Sequence, residues 1–187
     1  GSTLMPTRDE YAKQPLEQRF ERIERTPGEL VALIHGQSDV VLSRRPDGKN
    51  WAAKEIVCHL RDIEELFMVR FQTMLAMDEP KFLVLGAIPP NPAEWGIGGR
   101  VRPAIDPDRW AEERQYLRHD TGDALAAFRS RREESLAFLR QLTPAQWQRG
   151  SVHVTLGRLT YGDWVALMAA HDDNHLNQLK RALEGRA

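Results

Sequence analysis

The sequence has a single cysteine, Cys58, so no intrachain disulfide can form and the fold must be held by packing and polar contacts. It has no run of 18 apolar residues, which excludes a membrane-spanning helix. It also lacks an excess of charge, because 26 Lys and Arg against 27 Asp and Glu leave a formal charge of -1. The basic footprint that drives nucleic-acid binding by counterion release is therefore missing, and neither DNA nor RNA is expected as a partner. No charged-then-apolar leader opens the chain, so a cytoplasmic address is expected. Residues 1–4 read as an expression remnant ahead of a native Met5.

What is present suits one helical domain over residues 1–187. At this length about 70% of the unfolded surface can be buried, which is enough for a true core. Leu16, Phe20 and Ile23 share helical spacing. Thr26, Pro27 and Glu29 then look like a cap, a first-turn proline and an N3 carboxylate, predicting either one kinked helix or two short ones. After the turn SRRPDGK a long helix is expected over residues 50–77. Further helices are expected over 106–118 and 121–142, and a last one over 160–183 opens on Thr160 and Asp163 as cap residues. Val152, Val154 and Leu156 alternate with polar residues, predicting a short extended piece. Residues 78–107 carry six prolines and four glycines, which argues against regular structure there. Such a loop reads equally as a solvent-exposed insertion or as a lid, and Trp95 within it favours the lid, since a large aromatic in a polar loop packs on something.

The chemistry concentrates in histidines. His171 and His175 stand four apart on the last helix, so their rings share one face, and that face is the apolar stripe of Trp164, Leu167, Met168 and Leu179. An HxxxH pair alone is more often two ordinary histidines than a metal site. His59 changes the balance: it lies between Ile56 and Ile63 on the inward stripe of a different helix. Three inward imidazoles on two helices that a bundle brings together point to a ligand set, because a metal would satisfy rings whose burial otherwise costs a few kcal/mol each.

The segments WAAKEIVCHL (from Trp51) and HDDNHLNQL (from His171) resemble the two anchor motifs of the DinB-like proteins, and the stretches 109–131 and 152–160 resemble the larger branch of that family. The resemblance covers nearly the whole chain. It implies an all-α fold, four long helices in up, down, down, up order, here with extra short helices and one long Pro/Gly-rich loop. It implies His59, His171 and His175 as ligands to one divalent ion, zinc or nickel. It further implies a small-molecule enzyme, either a hydrolase or an S-transferase that uses a low-molecular-weight thiol as cosubstrate, with a link to stress response and a homodimer as the common oligomer. Ala52 stands where many relatives place a capping Ser or Thr, so the helix start must rely on Asn50 or on packing.

Three neutral imidazoles leave a metal at least one open position, the catalytic pattern and not the closed structural one. The competing reading is a non-catalytic metal-containing or ligand-binding protein whose ion only organises the bundle. Among the other polar residues, Asp62 and Glu55 lie three and four positions from His59, and Asp172 follows His171; each is a carboxylate able to fix a ligand's second ring nitrogen. His153 sits near a glycine turn, at the pocket mouth or on the surface. His35 and His119 fall at helix ends and face carbonyls. Cys58 points about 100° away from His59 and reads as a small core residue.

Overall fold

The computed structural model describes residues 5–82, 91–95 and 106–187. In chain order its elements are α1 (Arg8–Lys13), α2 (Leu16–Ile34), α3 (Asp39–Leu42), α4 (Ala53–Ala76), β1 (Lys81–Phe82), a 3-10 turn (Pro92–Trp95), α5 (Pro107–Glu113), a second 3-10 turn (Tyr116–Arg118), α6 (Thr121–Arg140), α7 (Pro144–Trp147), β2 (Gly150–His153), β3 (Gly157–Thr160) and α8 (Tyr161–Leu183). The expectation for residues 1–4 lies outside the described residues.

Cross-helix contacts fix the topology. Arg131 and Arg132 on α6 meet Arg61 and Glu64 on α4, and Phe138 meets Phe71, so α4 and α6 run parallel. His175 faces His59 while Tyr161 faces Phe71, so α8 runs antiparallel to α4. Arg19 reaches Gly162 and Thr26 reaches Asp172, so α2 runs with α8. The order is up, down, down, up, and it requires the long connection that residues 77–120 supply between two parallel helices.

Pro27 does not divide α2, which continues from Leu16 to Ile34. A proline inside a helix leaves the carbonyl four residues back without its donor. That carbonyl, on Ile23, accepts instead from Arg132 Nη1 at 2.8 Å. Thr26, expected as a cap, donates its hydroxyl to Asp172 Oδ2 at 2.5 Å and contributes to the interior. Neither Asn50 nor a side chain on Ala52 starts α4. Glu55, one turn inside, accepts the Ala52 N–H at 3.0 Å and is itself gripped by Arg45 Nε and Nη2, at 2.8 and 2.7 Å. Thr160 and Asp163 do form the reciprocal cap of α8.

The expected extended piece is an antiparallel β2–β3 hairpin, with Val152 opposite Arg158, extended by the two-residue β1 paired parallel to β2. Residues 78–107 thus hold a strand fragment and a 3-10 turn that composition alone did not reveal. Residues 106–118 break in the middle because Gln115 adopts a left-handed backbone, φ 52°, which ends α5 and starts the second 3-10 turn.

The core has two apolar parts. One gathers Phe20, Ile23, Phe67, Phe71, Trp164 and Met168; the other gathers Leu30, Ile56, Leu60, Phe128, Leu176 and Leu179. Each long helix contributes polar residues at the height between them: Thr26, His59 and Glu64, Arg132, then His171, Asp172 and His175. A polar layer therefore crosses the bundle at its middle.

Candidate metal centre

The helical stripes that bury Ile56, Ile63 and Met168 carry the three histidines inward with them. One ring nitrogen from each of His59, His171 and His175 lies within 4.8 Å of the others. Ring centroids are 4.4 Å apart for His171 and His175, 4.7 Å for His59 and His175, and 5.7 Å for His59 and His171. His59 is buried and the other two are partly exposed, so the cluster has a closed floor and an open side.

The hydrogen-bond pattern selects the tautomer of one ring. His175 Nδ1 stands 2.8 Å from Gln178 Oε1, and a carbonyl oxygen only accepts, so Nδ1 carries the proton and Nε2 keeps its lone pair. That lone pair lies 3.1 Å from His171 Nε2. Two bare lone pairs at this distance repel, so a proton or a cation must lie between them. Desolvation holds all three rings neutral: it pushes His59 down to about 3, with the neighbouring His175 adding to the shift and Asp62 opposing it, and it lowers His171 and His175 as well. Neutral imidazole is the form that donates to a metal.

The donor set fits a divalent ion. Metal–nitrogen bonds of about 2.0 Å in a tetrahedral site put nitrogens about 3.3 Å apart. The His171–His175 pair already stands close to this separation, and the third ring needs to close by at most about 1.5 Å. Aromatic rings border the cluster, Trp51 centred 4.8 Å from His59 and Phe67 centred 6.0 Å from His171.

The remaining residues singled out by sequence are placed as follows. Asp172 is 1% exposed and touches no histidine ring; its carboxylate accepts from Arg132 at 2.7 and 3.1 Å and from Thr26. It positions α8, not a ring. Asp62 is likewise engaged elsewhere, by Arg61, by Arg114 and by the Tyr116 hydroxyl at 2.5 Å. Glu55 caps α4. Cys58 is fully buried beneath the Tyr116 carbonyl, and burial raises its thiol to about 11, which removes it from nucleophilic chemistry. His119 accepts from Arg61 at Nδ1 and donates from Nε2 to the Arg114 carbonyl, and His35 ends α2.

A cavity of about 480 Å³ opens beside the cluster, with His171, Phe67, Trp164, Arg70 and His153 in its wall. Trp95 is not in the described wall; its ring lies against the Lys81 ammonium, 5.6 Å away, on the far end of β1. Most of the expected lid falls on residues 83–90 and 96–105, outside the described residues. Sequence reading missed Gln178 and Arg132. Gln178 was accessible, being three residues after His175 on the same face. Arg132 was not, because an arginine on a helix reads as solvent-facing unless its partners on other helices are known.

The sequence matches the DinB superfamily model over residues 22–179, and the chain belongs to that superfamily. Among solved structures, it is similar to YfiT from Bacillus subtilis, described as "a probable metal-dependent hydrolase with an unusual four-helix bundle topology". The two share 20% identity at a TM-score of 0.71, with all of this chain and 94% of that one covered, which establishes the common bundle. No curated protein of described function matches the sequence.

Proposed function

We propose that this protein is a metal-dependent hydrolase acting on a small molecule, with His59, His171 and His175 as the ligands. The observation that carries the reading is the convergence of three neutral ring nitrogens within 4.8 Å of one another, with one of the three residues, His171, also in the wall of a cavity of about 480 Å³. A volume of this size suits a small ligand and not a polymer. The description of YfiT supports the same reading from a shared fold.

His59, His171 and His175 would hold a zinc or nickel ion, which when bound would supply Lewis-acid activation of a nucleophile. The chain's own residues do the rest. Gln178 holds the proton on His175 Nδ1 and so keeps Nε2 available. Asp172, locked by Arg132, sets the rotation of α8 that aims His171 and His175 at His59. Phe67 and Trp164 exclude water from one side of the reacting centre.

The test is elemental analysis of protein purified without added metal, followed by hydrolysis assays on small esters and amides with and without a low-molecular-weight thiol. About one equivalent of zinc or nickel, with hydrolysis that disappears on chelation, is expected. Thiol-dependent turnover without hydrolysis would move the assignment to an S-transferase, since a divalent ion held by the same three histidines would also favour the thiolate form of a thiol. A full equivalent of metal with no exchangeable position would make the ion structural and overturn the hydrolase reading.

A further inference from the structure

The backbone fixes the tautomer of His153, and this leaves a donor in the cavity wall that the metal chemistry does not use. His153 ends β2, and its Nδ1 accepts the N–H groups of Thr155 and Leu156, at 3.1 and 3.0 Å, from the turn that leads into β3. A nitrogen that accepts from two N–H groups cannot carry a proton of its own, so the ring's one proton sits on Nε2. Burial, with the charges of Arg70 and Arg8 adding to it, keeps the ring neutral down to about 4. The residue is 7% exposed and lines the cavity, and among the described residues Nε2 meets no acceptor. A wall that offers a fixed donor discriminates in favour of ligands that bring an acceptor to it.

The rest of the wall sets what surrounds this donor. Trp164 donates its indole N–H to Ser151 Oγ at 2.9 Å, so it presents only ring surface to the cavity. His153, Trp164, Phe67 and His171 follow one another as ring neighbours, with centroids 6.1, 6.2 and 6.0 Å apart in turn. Two aromatic rings thus stand between the donor and the proposed metal ligand, and Ile63 and Leu167 extend the apolar lining. The two arginines of the wall have contacts of their own: Arg8 pairs with Asp9 at 2.7 Å, and Arg70 lies over the Trp164 and Phe82 rings at 5.4 and 6.0 Å. A single neutral donor at one end of an aromatic wall is the complement of an uncharged ligand with an aromatic or apolar body and one acceptor oxygen.

We propose that His153 is a substrate-binding residue of this cavity, its Nε2–H donating to a carbonyl oxygen of a small uncharged molecule whose aromatic or apolar body lies along Trp164 and Phe67 toward His171. The inference rests on the metal-dependent reading only for which end of such a substrate reacts; the donor itself stands on the hairpin geometry.

The experiment follows binding of acetophenone and of α-methylstyrene, in which a methylene replaces the carbonyl oxygen, by nuclear magnetic resonance titration of isotope-labelled protein. It uses the protein stripped of metal and dialysed free of chelator, and the same protein reloaded with zinc chloride. His153→Asn is the informative variant, because its side-chain oxygen accepts from the same turn amides while its nitrogen falls short of the Nε2 position. The ratio of acetophenone to α-methylstyrene affinity is expected to be about three- to tenfold higher in the parent than in His153→Asn, with or without zinc, as one net hydrogen bond gives. A histidine that only braced the hairpin would change both affinities alike and leave the ratio unmoved. In the unsubstituted protein the His153 ring should show its proton on Nε2, with a signal that acetophenone shifts and α-methylstyrene does not; this measurement decides if the variant does not fold. A proton on Nδ1, an unchanged ratio, or no binding of either compound would overturn the proposal. A ratio effect seen only with zinc present would also overturn it, while upholding the metal site. The effect in a protein that takes up no zinc would sustain the role of His153 and sink the metal-dependent reading.

Discussion

Arg132 joins three helices at the polar layer, and replacing it by Met should be the most damaging single substitution outside the apolar core. The guanidinium is 1% exposed and makes two bonds to Glu64, at 2.8 and 2.9 Å, two to Asp172, at 2.7 and 3.1 Å, and one to the Ile23 carbonyl. Methionine matches its length but leaves two buried carboxylates facing each other without a cation. Removing one partner of a buried ion pair costs about 3–5 kcal/mol, and here the orphaned Ile23 carbonyl adds to that. In a chain of this size that corresponds to a melting point lower by roughly 6–20 °C. Denaturant unfolding followed by circular dichroism measures it. Arg131→Met, on the same helix but one-third exposed, gives up the Arg61 carbonyl at 2.8 Å and longer pairs with Asp62 and Glu65, and should cost about 1–2 kcal/mol. Replacing the triad together, with Glu64→Leu, Arg132→Met and Asp172→Leu, should recover most of the loss and stop about 1–3 kcal/mol short, because the Ile23 carbonyl remains unpaired. An Arg132→Met protein within about 1 kcal/mol of the parent would refute the reasoning.

The other expectations concern the histidine cluster. His171→Ala should lose stoichiometric metal by elemental analysis while keeping its helical signal, whereas His119→Ala, whose ring only bridges Arg61 and the Arg114 carbonyl, should keep the metal; the reverse pattern would show the ligand set to be wrong. Gln178→Leu should weaken zinc binding about 10–100-fold in a competition titration, with Gln178→Glu restoring it, since either oxygen accepts from His175 Nδ1–H. Stability of the metal-free protein should be fully present above about pH 6.5 and fall on acidification, because the unfolded chain protonates these rings near 6.5 while burial holds His59 neutral down to about 3. Each such ring adds a slope of up to about 1.4 kcal/mol per pH unit, and a His59→Phe protein whose unfolding midpoint depends on pH as steeply as the parent's would argue against it.

The helices and the histidine cluster were legible because they are periodic: residues three and four apart on a helix share a face whatever the rest of the chain does. His59, His171 and His175 each sat on a stripe, and two stripes of one bundle must meet. What was illegible depends on partners distant in sequence. Pro27 and Thr26 carry the local signature of a helix start, and only the Arg132 guanidinium, 109 residues from the Ile23 carbonyl it rescues, lets α2 run through. Asp172 follows His171 directly and so looked like the support of that ring. Its direction was set instead by Arg132 and Thr26, on helices that no local window contains. The β1 strand had no sequence signal because two residues cannot show a period, and it exists only as an addition to the edge of the β2–β3 hairpin.

The polar layer also explains why this bundle can hold three neutral imidazoles at its centre and still fold. Buried imidazoles and carboxylates cost stability wherever they lack partners. Here the apolar halves on either side contain Trp164, Phe71 and Ile23 at one end and Leu30, Ile56 and Phe128 at the other, all essentially without exposed surface, so each half is a core in its own right. The layer between them divides into a side closed by ion pairs, Glu64, Arg132 and Asp172, and a side left with lone pairs, the three histidines. The first side fixes how the helices sit against one another, and the second inherits that geometry. Removing the metal should therefore loosen the rings without unfolding the bundle, lowering the melting point by an amount that grows with the logarithm of free zinc over its dissociation constant. A metal-stripped protein with the helical signal of an unfolded chain would show instead that the ion, not the Arg132 triad, holds α4 against α8.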